Sequence, residues 1–119
     1  MTLERIRAIY RELLDAYFGP RFAVDEQLEL ECLRIPHFYN AFYVYKYATG
    51  LSAAIALAKR VAEGGPGELR DYMTFLRGGC SKWPLDLLRD AGVDLEKPEP
   101  VATALTRFAE LVAELESLL

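Results

Sequence analysis

Leu3, Ile6, Tyr10, Leu13 and Tyr17 recur at alternating steps of three and four, with Ile9 and Leu14 beside them. That spacing predicts one apolar face of a helix, begun by Thr2 as N-cap and closed by Gly19-Pro20. A shorter helix is expected from an Asp25 cap through Leu28, Leu30 and Cys32 to about Leu33, because Pro36 biases the residue before it away from helix. Ile35 to Tyr39 then reads as a bend. Asn40 can cap a third helix over Ala41 to Ala62, whose length of about 22 residues would span roughly 33 Å. The middle of that helix, ATGLSAAIALA, has no polar face, and its small side chains allow close approach of other elements. It is expected to lie in the middle of the packing.

Gly64-Gly65-Pro66-Gly67 predicts a turn, and Leu69, Tyr72, Met73 and Leu76 form the stripe of the next helix before Gly78-Gly79 stops it. Pro84 suits the first turn of a short helix, WPLDLLRDAG, which Gly92 ends. DLEKPEP, with two prolines, reads as a linker. Val101, Leu105, Phe108, Val112, Leu115 and Leu119 then follow steps of four and three, widened by Ala104, Leu111 and Leu118. The pattern contains no strand-like alternation, internal repeat or low-complexity tract. The expected fold is therefore all-α: one helical domain over residues 1–119, with about six helices in an orthogonal or bundle-like array.

The composition narrows the class of function. The chain has 119 residues, 52% of them hydrophobic, enough to bury a core as one domain. Its net charge is −4 and its isoelectric point about 5.0. Basic residues are scattered among acidic ones, so nucleic acid and anionic lipid are not expected partners. The start, MTLERIRAIY, lacks an apolar signal core, and the longest uncharged run, Tyr47 to Ala58, is too short to span a bilayer. These features predict a soluble cytoplasmic chain with no membrane partner. The two cysteines, Cys32 and Cys80, read as free thiols in that setting.

Known chemistries find few of their residues here. Zinc hydrolysis of a peptide needs imidazole and carboxylate ligands, commonly two histidines one helical turn apart. This chain has a single histidine, His37. Cys32, His37 and Cys80 match no usual metal-ligand spacing, and GGCSKW shows neither a base nor oxyanion donors for a Cys80–His37 nucleophilic pair. Gly50-Leu51-Ser52 sits inside a helical pattern, so it is no nucleophile elbow. GGPG lacks the Lys-Ser/Thr of a phosphate loop. No metal site or cofactor is expected within the chain.

One segment, IPHFYNAFYVYKYATG, stands apart, because its histidine is followed within eleven residues by Tyr39, Tyr43, Tyr45 and Tyr47. It can be read structurally, as an aromatic helix face with Tyr43 and Tyr47 one turn apart and Phe42 and Tyr45 on an adjacent strip. It can also be read functionally: phenol and imidazole hydrogens beside a bend could point into a cleft and stabilise negative charge forming on a carbonyl oxygen.

The same segment closely resembles the HFYxxFYVYxYATG stretch of oligoendopeptidase F, in the thimet-oligopeptidase-like group of zinc peptidases. GGCSKWPLDLLRDAGVDLEKPEPVATAL is similar to that family's closing pattern, and YRELLDAYFGP is similar to an earlier part of it. The resemblance covers nearly the whole chain in the same order. It implies a mostly helical peptidase that encloses short peptides in a deep cleft, with zinc held upstream by His-Glu-x-x-His and a downstream Glu. This chain corresponds to the C-terminal portion, which brings a His/Tyr segment over the metal.

By that resemblance His37, Tyr43 and Tyr45 are the candidate catalytic contacts to substrate and oxyanion, either tyrosine serving as principal donor, and Tyr39 is a candidate for peptide binding. The zinc motif is absent, so the chain is expected to be inactive alone and to need the upstream zinc-binding part as partner. A capped helix directly after Met1 suits either a domain cut or a genuine start. The alternative function is a non-catalytic helical module using the same aromatic face for interaction or self-association. A tyrosine-lined pocket for a small ligand is a third possibility. Helices with such wide apolar faces are expected to self-associate in isolation, most simply as a homodimer.

Overall fold

A computed structural model describes residues 2–119. Among them are five α-helices, two 3-10 helices and no strand, which establishes the all-α class. The helices are α1 (Leu3–Phe18), α2 (Tyr45–Glu63), α3 (Pro66–Gly78), α4 (Pro84–Asp90) and α5 (Glu99–Leu118), and the 3-10 helices cover Leu28–Arg34 and Pro36–Tyr39. Chain contacts divide these residues into two compact units, one up to Val44 and the other Tyr45–Leu119.

In the first unit the expected caps of α1 form. The Thr2 hydroxyl accepts from the Arg5 amide at 3.3 Å, and Gly19 turns out of α1 at φ 72° while its N–H reaches the Asp15 carbonyl. Phe18 and Phe22 stack at 4.4 Å across that turn. The Asp25 carboxylate accepts from the amides of Gln27 and Leu28, each at 2.8 Å, but the helix that follows starts only at Leu28, with Gln27 and not Asp25 at its N-cap position, and winds as a 3-10 helix instead of an α-helix. Ile35 is extended at φ −93°, ψ 104°, as the following proline requires, and Pro36–Tyr39 closes the expected bend as a second 3-10 turn. Glu29 ties the first 3-10 helix to α1: its carboxylate accepts from Arg7 Nη2 at 2.8 Å and Arg11 Nη1 at 3.2 Å. Only 14% of the Glu29 side chain is exposed, and hydrogen bonds from Arg7 and then Arg11 hold its pKa below the usual carboxylate range.

The third helix differs from expectation at its start. It begins at Tyr45, four residues later than the pattern suggests, and Asn40 does not cap it. The Asn40 carbonyl instead accepts from the Tyr43 amide at 3.1 Å, in a turn over residues 41–44 where Phe42 has φ 61°. A left-handed backbone costs an ordinary L-residue about 1–2 kcal/mol, and it ends any helical run on its N-terminal side.

In the second unit α2 is the central element, packed against α3 and α5. It buries Ser52, Ala53, Ala56 and Leu57, and the last three form a core with Ala91 and Val93 of the loop after α4. Tyr72, Phe75, Leu88 and Leu95 pack around that core. The buried Ser52 hydroxyl is satisfied by the Ala48 carbonyl at 2.8 Å. Small side chains let the α2 backbone approach its neighbours, as ATGLSAAIALA suggests, while Gly50, Leu51 and Ala54 remain exposed. Gly92 makes the turn after α4 at φ 83°, and Arg60 of α2 donates from Nε to the Ala91 carbonyl at 3.2 Å. DLEKPEP is only partly a linker: Pro98 caps α5 and the buried Pro100 lies in its first turn, where its missing N–H leaves no intrahelical bond unmade.

Candidate functional site

His37 and Tyr39 sit on the 3-10 turn that Pro36 starts, Tyr43 in the turn after Asn40, and Tyr45 at the first residue of α2. The first three therefore belong to the first unit and Tyr45 to the second. Within the first unit the fold brings His37 and Tyr43 together, their ring centroids 5.4 Å apart and tilted by 50°. That is an ordinary spacing for an edge-inclined ring pair. Tyr43 is half-buried and His37 exposed, so the imidazole is the more accessible partner.

Tyr39 is anchored differently. Its hydroxyl donates to the Leu33 carbonyl at 2.5 Å, while 70% of the residue is exposed. The single phenol hydrogen is committed to the backbone, so what Tyr39 presents outward is its ring and the lone pairs of its oxygen. Upstream of the Pro36–Tyr39 turn, Arg34 and Glu31 form an ion pair in which Arg34 Nε donates to the Glu31 carboxylate at 3.1 Å. That hydrogen bond lowers the Glu31 pKa and raises that of Arg34.

The reading of Tyr43 and Tyr47 as one-turn neighbours on a helix face is not realised, because Tyr43 precedes the helix. Phe42, expected on a helical strip beside Tyr45, also precedes the helix. It has the only positive φ among the described non-glycine residues, and no propensity rule marks a phenylalanine for that conformation. Tyr45 is exposed at the first residue of α2.

Among the described residues no three His, Cys, Asp or Glu side chains converge as a metal ion would need, and Cys32 and Cys80 are free thiols. The described residues of this chain do not fit a zinc ion. No helix is long and apolar enough to cross a membrane among the described residues.

Comparison with known proteins gives these residues a context. Residues 1–107 match Peptidase family M3. The chain is 43% identical over 119 residues to oligopeptidase PepF of Bacillus subtilis, covering all of this chain and 18% of that protein. It is 43% identical over 115 residues to an oligoendopeptidase F homolog of Borreliella burgdorferi, covering 97% of this chain and 20% of that protein. In structure it is similar to oligoendopeptidase-F from Enterococcus faecium, with a TM-score of 0.85 and 36% identity over 97% of this chain and 22% of that one. A peptidase structure from Chlamydophila abortus gives a TM-score of 0.82 at 34% identity, over 98% and 20% of the two chains. The chain thus spans about a fifth of the length of the relatives it matches. With a family match over most of its residues and a shared fold over nearly all of them, the chain belongs to peptidase family M3, as a C-terminal portion of its oligoendopeptidase F group.

Proposed function

We propose that this chain is the C-terminal portion of a zinc metallo-oligopeptidase that hydrolyses short peptides, and that its His/Tyr segment contacts the substrate. In this reading the zinc is held by the upstream part of the peptidase, which is the chain's working partner, and both units belong to one catalytic domain in the cytoplasm. His37, Tyr43 and Tyr45 donate hydrogen bonds to peptide oxygens, including the carbonyl oxygen on which charge builds, and the ring of Tyr39 lines the peptide's path. Donors fixed before the reaction need no reorganisation as charge develops, which is why a pre-packed His/Tyr pair suits the role. The chain alone does not cleave peptides.

The observation that carries this reading is the pairing of His37 with Tyr43, inside a chain 43% identical over its full length to an oligopeptidase. Its test is hydrolysis of a quenched fluorescent oligopeptide with added zinc, by the chain alone and by the chain mixed with the separately expressed upstream part. Cleavage only in the mixture supports the proposal. Cleavage by the chain alone contradicts it.

A second reading, a non-catalytic module for interaction or self-association, draws on α5. Leu105, Phe108, Leu111, Leu115 and Leu118 of that helix are all exposed. A stripe of that kind is expected to be covered when the molecule works. The two readings separate in the complete peptidase, where replacing the His/Tyr donors affects turnover only under the first.

A further inference from the structure

The residue most at odds with its own backbone is Phe42. It is bulky, holds φ at 61°, and 84% of it is exposed, so burial of the ring does not offset the unfavourable conformation. The local sequence also permits another state, since Asn40 is a competent N-cap and residues 41–44 carry no helix breaker. A helix begun at Ala41 would put Tyr43 one turn from Tyr47, on a cylinder leaving the Pro36–Tyr39 turn. The left-handed step instead sets Tyr43 beside His37, with the Tyr43 amide bonded back to the Asn40 carbonyl at 3.1 Å.

We propose that Phe42 is a positioning residue whose left-handed backbone, and not its ring, holds Tyr43 against His37 and prevents α2 from extending through residues 41–44. The importance of that placement for peptide cleavage rests on the function proposed above. The placement itself does not.

Two substitutions with opposite backbone preferences test the assignment. Phe42→Gly favours the left-handed turn at no steric cost, whereas a β-branched residue in Phe42→Val opposes it. His37 is the only histidine in the chain, so its imidazole protons form one unambiguous set of NMR signals in the 119-residue protein, displaced by the ring current of Tyr43. Phe42→Gly is expected to keep that displacement. Phe42→Val is expected to lose it, with a gain of helical circular dichroism. In the complete peptidase, kcat is expected to be retained by the Gly variant and to fall about tenfold in the Val variant, with KM little changed.

Loss of the His37 displacement in both variants would show that the ring holds the pair and overturns the proposal, as does a wild-type spectrum in both. If the spectra divide as expected while kcat is constant, the positioning role of Phe42 stands and the proposed contact of the pair with substrate fails.

Discussion

The His37 imidazole and the Tyr43 phenol ring lie 5.4 Å apart, inclined by 50°, although a plain helical continuation would have separated them. The pair is formed from two turns, not from one helix face, and Tyr43 is half-buried in it. In the complete peptidase, Tyr43→Phe and Tyr45→Phe preserve ring volume and remove only the donor. The expected result is a drop in turnover of about 100-fold at the principal donor, the usual scale for one oxyanion contact, with stability nearly constant. Unchanged turnover in both variants would sink the site assignment.

Gly92 and Gly50 should respond in opposite directions to the same methyl group. At Gly92 φ is 83°, and an added Cβ would come within 2.4 Å of the Arg60 guanidinium carbon. Gly92→Ala is expected to destabilise the second unit by about 1–2 kcal/mol from backbone strain, with further loss if Arg60 releases the Ala91 carbonyl. Gly50 lies inside α2 with open space where its Cβ would be, so Gly50→Ala is expected to stabilise by about 0.5–1 kcal/mol. Urea titrations of the two variants against the parent chain measure both signs.

Acid should loosen the first unit through Glu29. Its folded pKa lies below its unfolded value because Arg7 and Arg11 hydrogen-bond to the ionised form. The associated stability is therefore complete above the unfolded pKa and is lost as pH falls through the folded one. Glu4, Glu31 and Glu68 are also depressed, so the informative quantity is the difference between parent and variant. Glu29→Gln should lower stability at neutral pH and flatten its fall in acid, read by hydrogen exchange of α1 amides. An unaltered acid slope would remove Glu29 from the account.

The apolar face of α5 predicts association of the isolated chain. Phe108 is 66% exposed, and Leu105 and Leu115 lie about one and two turns away on the same stripe. Sedimentation at high protein concentration is expected to show a dimer, and Phe108→Glu to shift it toward monomer. A monomer at all concentrations would show that this face tolerates water.

Leu57 sets the scale for the core. It is the largest side chain buried in α2, in a cluster otherwise built from Ala53, Ala56, Ala91 and Val93. Leu57→Ala should cost about 2–5 kcal/mol, the usual range for truncating a buried leucine. A smaller loss in thermal unfolding would mean that α3 or α5 moves inward.

Local chemistry alone was sufficient for much of this protein. The periodicity of Leu3 to Tyr17, the Thr2 cap, Pro84 at a helix start and the glycine stops depend on interactions within a few residues, and the structure forms them where the sequence puts them. The all-α class and the family motif were legible for the same reason. Other features depend on groups distant in sequence. The segment after Asp25 winds as a 3-10 helix, and its Glu29 reaches Arg7 and Arg11 of α1, 22 and 18 residues away. Pro98 and Pro100 start a helix because Pro100 is buried in its first turn, not left in a linker. The start of α2 departs from the sequence pattern: Asn40 can cap a helix and residues 41–44 hold no helix breaker, yet the folded chain takes a left-handed step at Phe42. Sequence determined which segments coil and which side chains carry hydrogens for chemistry. Tertiary packing decided which of those side chains meet, because a conformational penalty of a kilocalorie or two at one residue is smaller than the sum of contacts that a folded chain makes around it.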